Sequence, residues 1–198
     1  MRSIGELCDI YDGLSPTLAT TPGEFPMVVS AFDRRTADHF DYDGEAICVP
    51  IVSSAGHGKA EIKRIHYQEG QFALATTMCA LFSKDTDVLR SRFLHIYLNA
   101  VKDEVLKPLM CGATNVTLDS GHLKDVLIPL PGIDVQDEVI EAFLIDTTVG
   151  ELKERAELLR SVSGRKDVGE LAEHIIFECD SVQEHKQSMT DIRHFMPA

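Results

Sequence analysis

The sequence lacks the motifs that mark several common classes of enzyme. Gly58-Lys59 is not a phosphate-binding loop, because Ser53 stands where such a loop begins with glycine and Ala60 where it ends in serine or threonine. The chain contains no GxSxG sequence, which excludes the nucleophile elbow of a serine hydrolase. No His or Cys pair has the spacing of zinc ligands, so we expect His57 and His66 to be surface residues.

Disulfide, secretion and membrane signals are absent as well. The cysteines are odd in number, widely spaced and free of any CxxC pair, which predicts thiols in a reducing cytoplasm rather than a disulfide framework or a metal site. They are Cys8, Cys48, Cys79, Cys111 and Cys179. The apolar run over 126–130 is too short to span a membrane, and residues 1–6 contain no apolar signal region. We therefore expect a cytoplasmic protein that does not associate with membranes.

Positive charge is scarce. The 198-residue chain carries a net charge of −13, which argues against indiscriminate binding to nucleic-acid phosphates. Residues 1–132 contain 12 Lys and Arg against 17 Asp and Glu, whereas residues 133–198 contain 7 against 15. The acidic excess is therefore denser toward the C-terminus, and a nucleic-acid reader of this composition would need a basic partner to supply affinity for the backbone.

Strand patterns occupy the first part of the chain. Apolar and β-branched runs over 25–32, 46–52 and 72–82, with an imperfect alternation over 62–67, predict a mostly antiparallel sheet. A polar loop is expected over 33–44.

Helical patterns follow. Over 88–106, apolar residues recur every three or four positions, which predicts one helix packed on the sheet and ended by Pro108, with Arg90 and Arg92 on its polar face. A last strand over 126–130 is then stopped by two prolines. Asp134 is a suitable N-cap for a second long helix. The pattern is that of an α+β protein.

The junction Leu127-Ile128-Pro129-Leu130-Pro131, with Gln136 and a long helix after it, resembles the end of a target recognition domain in the specificity (S) subunit of type I restriction–modification systems. The opening phrase Ile4-Gly5-Glu6-Leu7 and the strand entry Gly70-Gln71-Phe72 also fit that family. Further segments in the family's order are 42–49, 54–58, 93–98, 112–114 and 118–123. Gly132-Ile133 departs from the proline-leucine pair that usually follows the first prolines.

The resemblance implies a domain organisation and a function. Residues 1–132 would form the DNA target recognition domain, 133–162 a long spacer and dimerisation helix, and 163–198 a helical C-terminal tail. Such a subunit is non-catalytic, holds no cofactor and reads one half of a split double-stranded DNA target. Its partners are an adenine-N6 methyltransferase (M) subunit, docked through the spacer helix, and a motor–nuclease (R) subunit.

The sequence contains one recognition domain and one spacer helix, where a full family member has two of each. Three explanations remain open. The chain is a natural half-subunit that pairs with itself, a piece cut from a longer chain, or the specificity part of a fused methyltransferase.

Basic side chains on loops are the candidates for DNA contact, because direct readout needs hydrogen-bonding groups at base edges. They are Arg34, Arg35, His57, Lys59, Lys63 and Arg64. Arg34 and Arg35 lead the set, since guanidinium forks fit guanine edges and phosphates, with a solvated surface pair as the alternative. The loop that contains Lys59 is equally explained as a plain strand-end loop. If Lys63 and Arg64 lie on a strand, they point to opposite faces and at most one touches DNA.

An apolar stripe on the final helix is the candidate interface. Its residues are Val139, Ala142, Phe143, Val149, Leu152, Ala156 and Leu159. The helix is expected to be about 26 residues, or about 39 Å, long. The stripe is either the seam of an antiparallel coiled coil with the spacer helix of a dimer mate or ordinary packing on its own domain. A projecting stripe of this length needs a partner.

The main alternative function follows from the charge. An acidic interaction protein that mimics DNA, or only dimerises, would bind basic proteins and no duplex DNA. A recognition domain would instead show sequence-dependent DNA binding that appears or tightens once a methyltransferase subunit is present.

Overall fold

The computed structural model describes residues 1–31, 34–55 and 58–162 of the 198-residue chain. The chain divides into two compact units, one spanning Met1–Ile133 and a second that begins at Asp134. Within the described ranges, no helix combines the length and apolar character needed to cross a membrane. The helical tail predicted over 163–198, and with it Cys179, lies outside the described residues.

The described part of the first unit contains twelve short strands. In chain order they are β1 (Arg2–Ser3), β2 (Cys8–Asp12), β3 (Phe25–Val28), β4 (Arg35–Ala37), β5 (Tyr42–Asp43), β6 (Ala46–Pro50), β7 (His66–Gln68), β8 (Gln71–Leu74), β9 (Met78–Ser83), β10 (Met110–Cys111), β11 (Thr117–Leu118) and β12 (Leu127–Ile128). Among the residues that the structure describes, the α-helices are α1 (Ile4–Leu7), α2 (Ser91–Val105) and α3 (Ile133–Val162), and 3-10 turns cover Lys107–Leu109 and Ser120–Asp125.

One four-stranded sheet has the order β2-β9-β6-β7 and is antiparallel throughout. Strand β6 lies in its interior, where Cys48 pairs with Ala80 of β9 on one side and with His66 of β7 on the other. All five residues of β6 are buried. The strand predicted over 46–52 is therefore confirmed, and it ends at Pro50.

A second four-stranded sheet has the order β4-β3-β8-β5. Its β3–β8 pair is parallel and its other pairs are antiparallel. The two sheets share one apolar core, to which the second sheet contributes Met27, Phe72 and Leu74 and the first contributes Cys48 and Ala80. The mostly antiparallel pairing is confirmed, but the strands form two packed four-stranded sheets and two two-stranded pairs, β1-β12 and β10-β11, rather than one sheet.

The prediction of one long strand over 72–82 is wrong, because this segment forms two strands. Strand β8 ends at Leu74 in one sheet, and β9 begins at Met78 in the other. The chain turns between them, with the Met78 amide donating to the Ala75 carbonyl oxygen at 2.9 Å. Almost every residue on either side of the turn is buried, so the apolar pattern continues through the break and conceals it.

Two other segments also differ from expectation. The polar loop predicted over 33–44 contains β4 and β5. Strand β4 is an edge strand with Arg35 and Thr36 exposed, and a polar edge strand resembles a loop in sequence. The strand expected over 62–67 begins only at His66.

The predicted helix over 88–106 is confirmed as α2, which begins at Ser91 because residues 85–89 form a turn. The Leu89 amide closes that turn on the Asp85 carbonyl oxygen at 3.0 Å. The buried side of α2 carries Phe93, Leu94, Tyr97, Leu98 and Val101. Helix α2 lies against β6 and β7, which covers the first sheet.

The proline junction lies beside the N-terminus. Strand β12 pairs with β1, and the Ile4 amide donates to the Val126 carbonyl oxygen at 2.9 Å. The predicted last strand thus ends at Ile128, before the first proline. Helix α3 starts at Ile133, so Asp134 lies in its first turn, where a carboxylate suits the helix dipole, rather than at the cap.

A buried polar cluster fixes the loop after β2. The Ser15 hydroxyl donates to Asp41 Oδ2 at 2.7 Å, and the Leu74 amide donates to the same oxygen at 2.8 Å. Ser15 is 1% exposed and the Asp41 side chain 8%. His39 Nε2 lies 2.9 Å from Ser15 Oγ, and it is the donor of this bond because the single hydroxyl proton is already given to Asp41.

The substitution Ser15→Ala should therefore lower the free energy of unfolding by about 1–3 kcal/mol, because it leaves a buried carboxylate with one donor fewer. The urea midpoint, at unchanged slope, measures this loss. Thr20→Ala removes a more exposed hydroxyl of the same loop, bonded only to the Pro16 carbonyl oxygen among the contacts described, and should change stability by no more than about 0.5 kcal/mol. Equal midpoints for the two variants would contradict the assigned role of Ser15.

Candidate nucleic-acid interface

The two leading arginines contact different parts of the first unit. Arg34 is exposed, yet its Nη2 donates to the Tyr67 carbonyl oxygen at 2.8 Å and its Nη1 donates to the Gln68 side chain. Arg35, the first residue of β4, donates from Nη1 to the Thr17 carbonyl oxygen at 2.8 Å. The guanidinium groups are therefore held on separate segments, and they do not form one side-by-side pair.

Lys63 and Arg64 lie in an irregular segment, not in a strand as the prediction assumed. Ile62 and Ile65 on either side of them are buried, so both basic residues are exposed. Asn99 of α2 fixes this segment, since its Oδ1 accepts the Ile65 amide and its Nδ2 donates to the Ile65 carbonyl oxygen, each at 3.0 Å. The condition under which these two side chains would point to opposite faces is therefore not met, and their contact with DNA stays a prediction.

The loop before that segment is closed by Ser53. Its hydroxyl donates to the Lys59 carbonyl oxygen at 2.6 Å and accepts the Glu61 amide at 3.0 Å. The side chain of Lys59 is exposed. His57 lies outside the described residues, so its predicted contact with DNA stays a prediction.

Several side chains contact Tyr67 of β7, a residue that the sequence did not indicate as part of a site. The guanidinium carbon of Arg92 lies 4.3 Å from the centroid of its ring, a cation–π geometry. Arg92 Nη2 also lies 2.9 Å from Glu69 Oε1, and the His95 ring centroid is 5.7 Å from that of Tyr67. With Arg34 on the Tyr67 carbonyl oxygen, side chains from three segments meet at this tyrosine. We call Arg34, Arg64, Tyr67, Arg92 and His95 the Tyr67 cluster.

The electrostatics place Arg64 in the same group. The pKa of His66 is lowered to about 4, first by burial and then by the charges of Arg34 and Arg64. Burial also lowers the pKa of His95, and Arg92, Arg64 and Arg34 lower it further. Both imidazoles are therefore neutral at pH 7, and the arginines supply the positive charge. The expectation that His66 is a surface residue is wrong, because it is 4% exposed at its place in β7.

Nearby carboxylates offset part of this charge. Burial raises the pKa of the Tyr67 hydroxyl most, and a hydrogen bond to Glu69 and the charges of Glu45 and Glu69 raise it further. The sequence contained one overlooked signal. Arg92, His95 and Asn99 follow each other at three- and four-residue spacing, so they share one polar face of α2.

Another constellation has the residue types of a hydrolytic triad but not the chemistry. His39 Nδ1 lies 2.7 Å from Asp38 Oδ1, and Nε2 lies 2.9 Å from Ser15 Oγ. The Ser15 hydroxyl is buried and gives its proton to Asp41, so it is neither accessible to a substrate nor hydrogen-bonded as a nucleophile. Among the residues that the structure describes, no group of three or more His, Cys, Asp or Glu side chains could hold a metal ion.

Two of the cysteine side chains, Cys8 and Cys48, are also unsuited to chemistry. Cys8 and Cys48 are buried free thiols, and burial raises the pKa of each to about 12. They are therefore protonated at neutral pH, whereas the thiolate is the nucleophile and metal ligand.

The predicted stripe on α3 is described only in part. Val139 and Val149 are buried, Ala142 is half-buried, and Phe143 is 42% exposed. The side chains of Leu152, Ala156 and Leu159 lie outside what the structure describes. The role of the stripe as an interface stays a prediction.

Comparison with known proteins identifies the domain. Residues 1–151 match the family model described as the type I restriction modification DNA specificity domain. No curated protein sequence matches the chain.

Solved structures share the fold. The S subunit of a type I restriction–modification system from M. genitalium superimposes with a TM-score of 0.61 and 19% identity, over 81% of this chain and 43% of that one. The HsdS subunit from Thermoanaerobacter tengcongensis gives a TM-score of 0.52 and 18% identity, over 89% and 43% of the two chains. A chain from a type I system, solved to explain complex assembly and conformational transition, gives 0.56 and 19%, over 90% and 44%.

The chain thus spans less than half the length of these solved proteins. Its match to the family model covers three quarters of its own residues and includes the proline junction and the start of α3. It belongs to the type I restriction modification DNA specificity domain family.

Proposed function

We propose that this chain supplies DNA sequence specificity to a type I-like restriction–modification complex and reads one half of a split double-stranded target. The observation that carries the proposal is the Tyr67 cluster of a DNA specificity domain, where Arg34 and Arg92 contact Tyr67 and the charge of Arg64 acts on His66 and His95. In a chain of net charge −13, a local concentration of positive charge is what attraction to a nucleic-acid backbone requires.

The proposed DNA contacts come from several segments. Arg34 and Arg64 belong to the cluster, and Lys63 is exposed next to Arg64. Arg35, held at Thr17, and Lys59, on the loop closed by Ser53, would contribute from other segments, and His57 completes the set predicted from sequence. Phosphate contacts fix the register of such a domain on DNA, and base contacts supply its sequence preference.

Helix α3 is the proposed docking element for an adenine-N6 methyltransferase subunit, with a motor–nuclease subunit joining that core. The helix contains 30 residues, which corresponds to about 45 Å. An open groove along it is lined by Ile140, Leu144 and Val149, and Leu144 is 43% exposed. Apolar surface of this kind favours a protein partner.

A split target needs a second reader. A second copy of the chain, paired through α3, would read an inverted copy of the same half-site and give a palindromic motif. Another recognition domain in a longer chain, or one belonging to a fused methyltransferase, would give an asymmetric motif. The solved relatives, of which this chain covers 43–44%, are compatible with each arrangement.

The net charge of −13 favours one other function, an acidic interaction module that binds basic proteins and no DNA. The two functions differ in a single observable, namely sequence-dependent binding to duplex DNA in the presence of a methyltransferase subunit.

The deciding experiment is a genome-wide map of methylated adenines in cells that express a cognate methyltransferase subunit with and without this chain. We expect a defined motif that appears only with the chain, because specificity resides in the chain and chemistry in its partner. A control culture expresses the same methyltransferase with another specificity subunit, to show that it is competent. No new motif, with both proteins soluble and the control active, would refute the proposal and favour the acidic interaction module.

The contribution of the cluster is testable with Arg64→Ala in the full chain. The exposed side chain leaves the core untouched, so folding should be unchanged. Duplex binding should weaken, and the slope of log K against log salt should fall in magnitude by about 0.9, the value for one phosphate contact. Lys107→Ala removes one positive charge from the 3-10 turn after α2 and serves as the matched control. Identical salt slopes for the two variants would remove Arg64 from the interface.

The docking role of α3 is testable with Leu144→Asp. A charge at this exposed apolar position should abolish co-purification of the methyltransferase subunit while the thermal midpoint of the chain stays the same. Glu138→Lys changes the charge at an exposed position about 120° around the same helix and should leave assembly intact. Full assembly of the Leu144 variant would place the docking surface elsewhere.

A further inference from the structure

We propose that the Tyr67 cluster binds a phosphate group of the DNA backbone, and that Glu69 occupies the place of this phosphate in the free chain. The juxtaposition that carries the inference is Arg92 stacked on the Tyr67 ring and paired with the Glu69 carboxylate. The inference rests on the proposed function and deepens it. It assigns a phosphate contact to Arg92, which the sequence indicated only as part of a polar helix face.

The geometry presents the Arg92 guanidinium, together with the Tyr67 hydroxyl, to one anion, the Glu69 carboxylate. The Arg92 guanidinium carbon lies 4.3 Å from the Tyr67 ring centroid, and this stacking restricts the orientation of the group. Its Nη2 lies 2.9 Å from Glu69 Oε1. A carboxylate and a phosphate diester each carry one negative charge on two equivalent oxygens, so both fit the same guanidinium fork.

The ion pair is open to exchange. The Glu69 side chain is 57% exposed and that of Arg92 is 34% exposed, so an incoming ligand can reach both. Exposed ion pairs are weak, because water screens the attraction and the side chains lose freedom. Glu69 also lies after the end of β7 and before Gly70, whose φ of +72° marks a turn, so its side chain can leave Arg92 without disturbing a strand.

The surroundings favour a ligand that carries several negative charges, as a DNA strand does and a single carboxylate does not. Beyond the effect of burial, Arg34, Arg64 and Arg92 all lower the pKa of His95, and so the fields of the three arginines overlap at that ring. The facing acids that act on Tyr67 are Glu69 and Glu45. A phosphate that replaces Glu69 still neutralises the charge of Arg92. Neighbouring phosphates of the same DNA strand then contact Arg34 and Arg64.

One consequence concerns selectivity. Contact between Arg92 and a phosphate requires that the bond to Glu69 break, so Glu69 lowers affinity for all duplexes alike. Because the phosphate backbone is common to every sequence, removing Glu69 should strengthen binding without changing which bases are preferred.

The test is Glu69→Gln in the full chain, assembled with the methyltransferase subunit and titrated with a duplex that lacks the methylation motif. Affinity should rise about two- to fivefold over that of Glu104→Gln, which removes the same charge from an exposed position of α2. The methylation motif should be the same for both variants and the parent chain.

The same substitutions made in an Arg92 variant distinguish a specific exchange at Arg92 from the general effect of removing one negative charge. In Arg92→Gln, the substitution Glu69→Gln should give no further gain over Glu104→Gln, because the pair being broken no longer exists. Arg92→Lys, which retains the charge but loses the fork, should keep part of the gain and guards against a folding defect in the glutamine variant. Thermal midpoints check that each variant is folded.

Each outcome bears on a defined claim. If the parent complex binds duplex DNA and Glu69→Gln binds no more tightly than Glu104→Gln, the exchange is refuted while the proposed function stands. A gain that persists in Arg92→Gln also refutes it. If the parent complex binds no duplex, with the methyltransferase competent beside another specificity subunit, the proposed function fails and this inference fails with it.

Discussion

The complete burial of β6 constrains the elements around it. Five consecutive buried residues, Ala46–Pro50, leave this strand no face for solvent, so both edges and both faces need cover. Strands β9 and β7 satisfy the edges, and α2 lies against the strand. The second sheet brings Met27 and Phe72 into the core that contains Cys48. A strand with one polar face would need a single covering layer, whereas β6 requires a helix and a second sheet.

The burial of whole strands also explains why the sequence predicts only part of the fold. The runs over 46–52 and 72–82 look alike, since each is apolar at nearly every position. The first is one strand, and the second changes sheets at the turn between Ala75 and Met78. A hydrophobic pattern shows that a segment is buried on both faces but not which layer covers it. The existence of the strands and of α2 could therefore be predicted, and the assignment of strands to two sheets could not.

The candidate site, like the fold, could be predicted from the sequence only in part. Arg34 and Arg64 could be identified because they are charged residues in polar segments. The pairing of Arg92 with Tyr67 joins residues 25 positions apart, and only the packing of α2 on β7 brings them together. His66 shows the converse error, because a polar residue in a short segment resembles a surface residue until β7 is seen to pair with β6. Tertiary contacts, which local patterns do not encode, decide both cases.

An irregular backbone is what concentrates positive charge in this acidic domain. Asn99 bonds both the amide and the carbonyl of Ile65 and so replaces the partner that a neighbouring strand would provide. In a regular strand one of Lys63 and Arg64 would point inward, but here Ile62 and Ile65 are buried and both basic residues are exposed. The polar face of α2 that holds this segment also carries Arg92. Attraction to phosphate depends on the local density of positive charge. One face of α2 therefore fixes the backbone of this segment and also adds positive charge to the surface that we propose binds DNA.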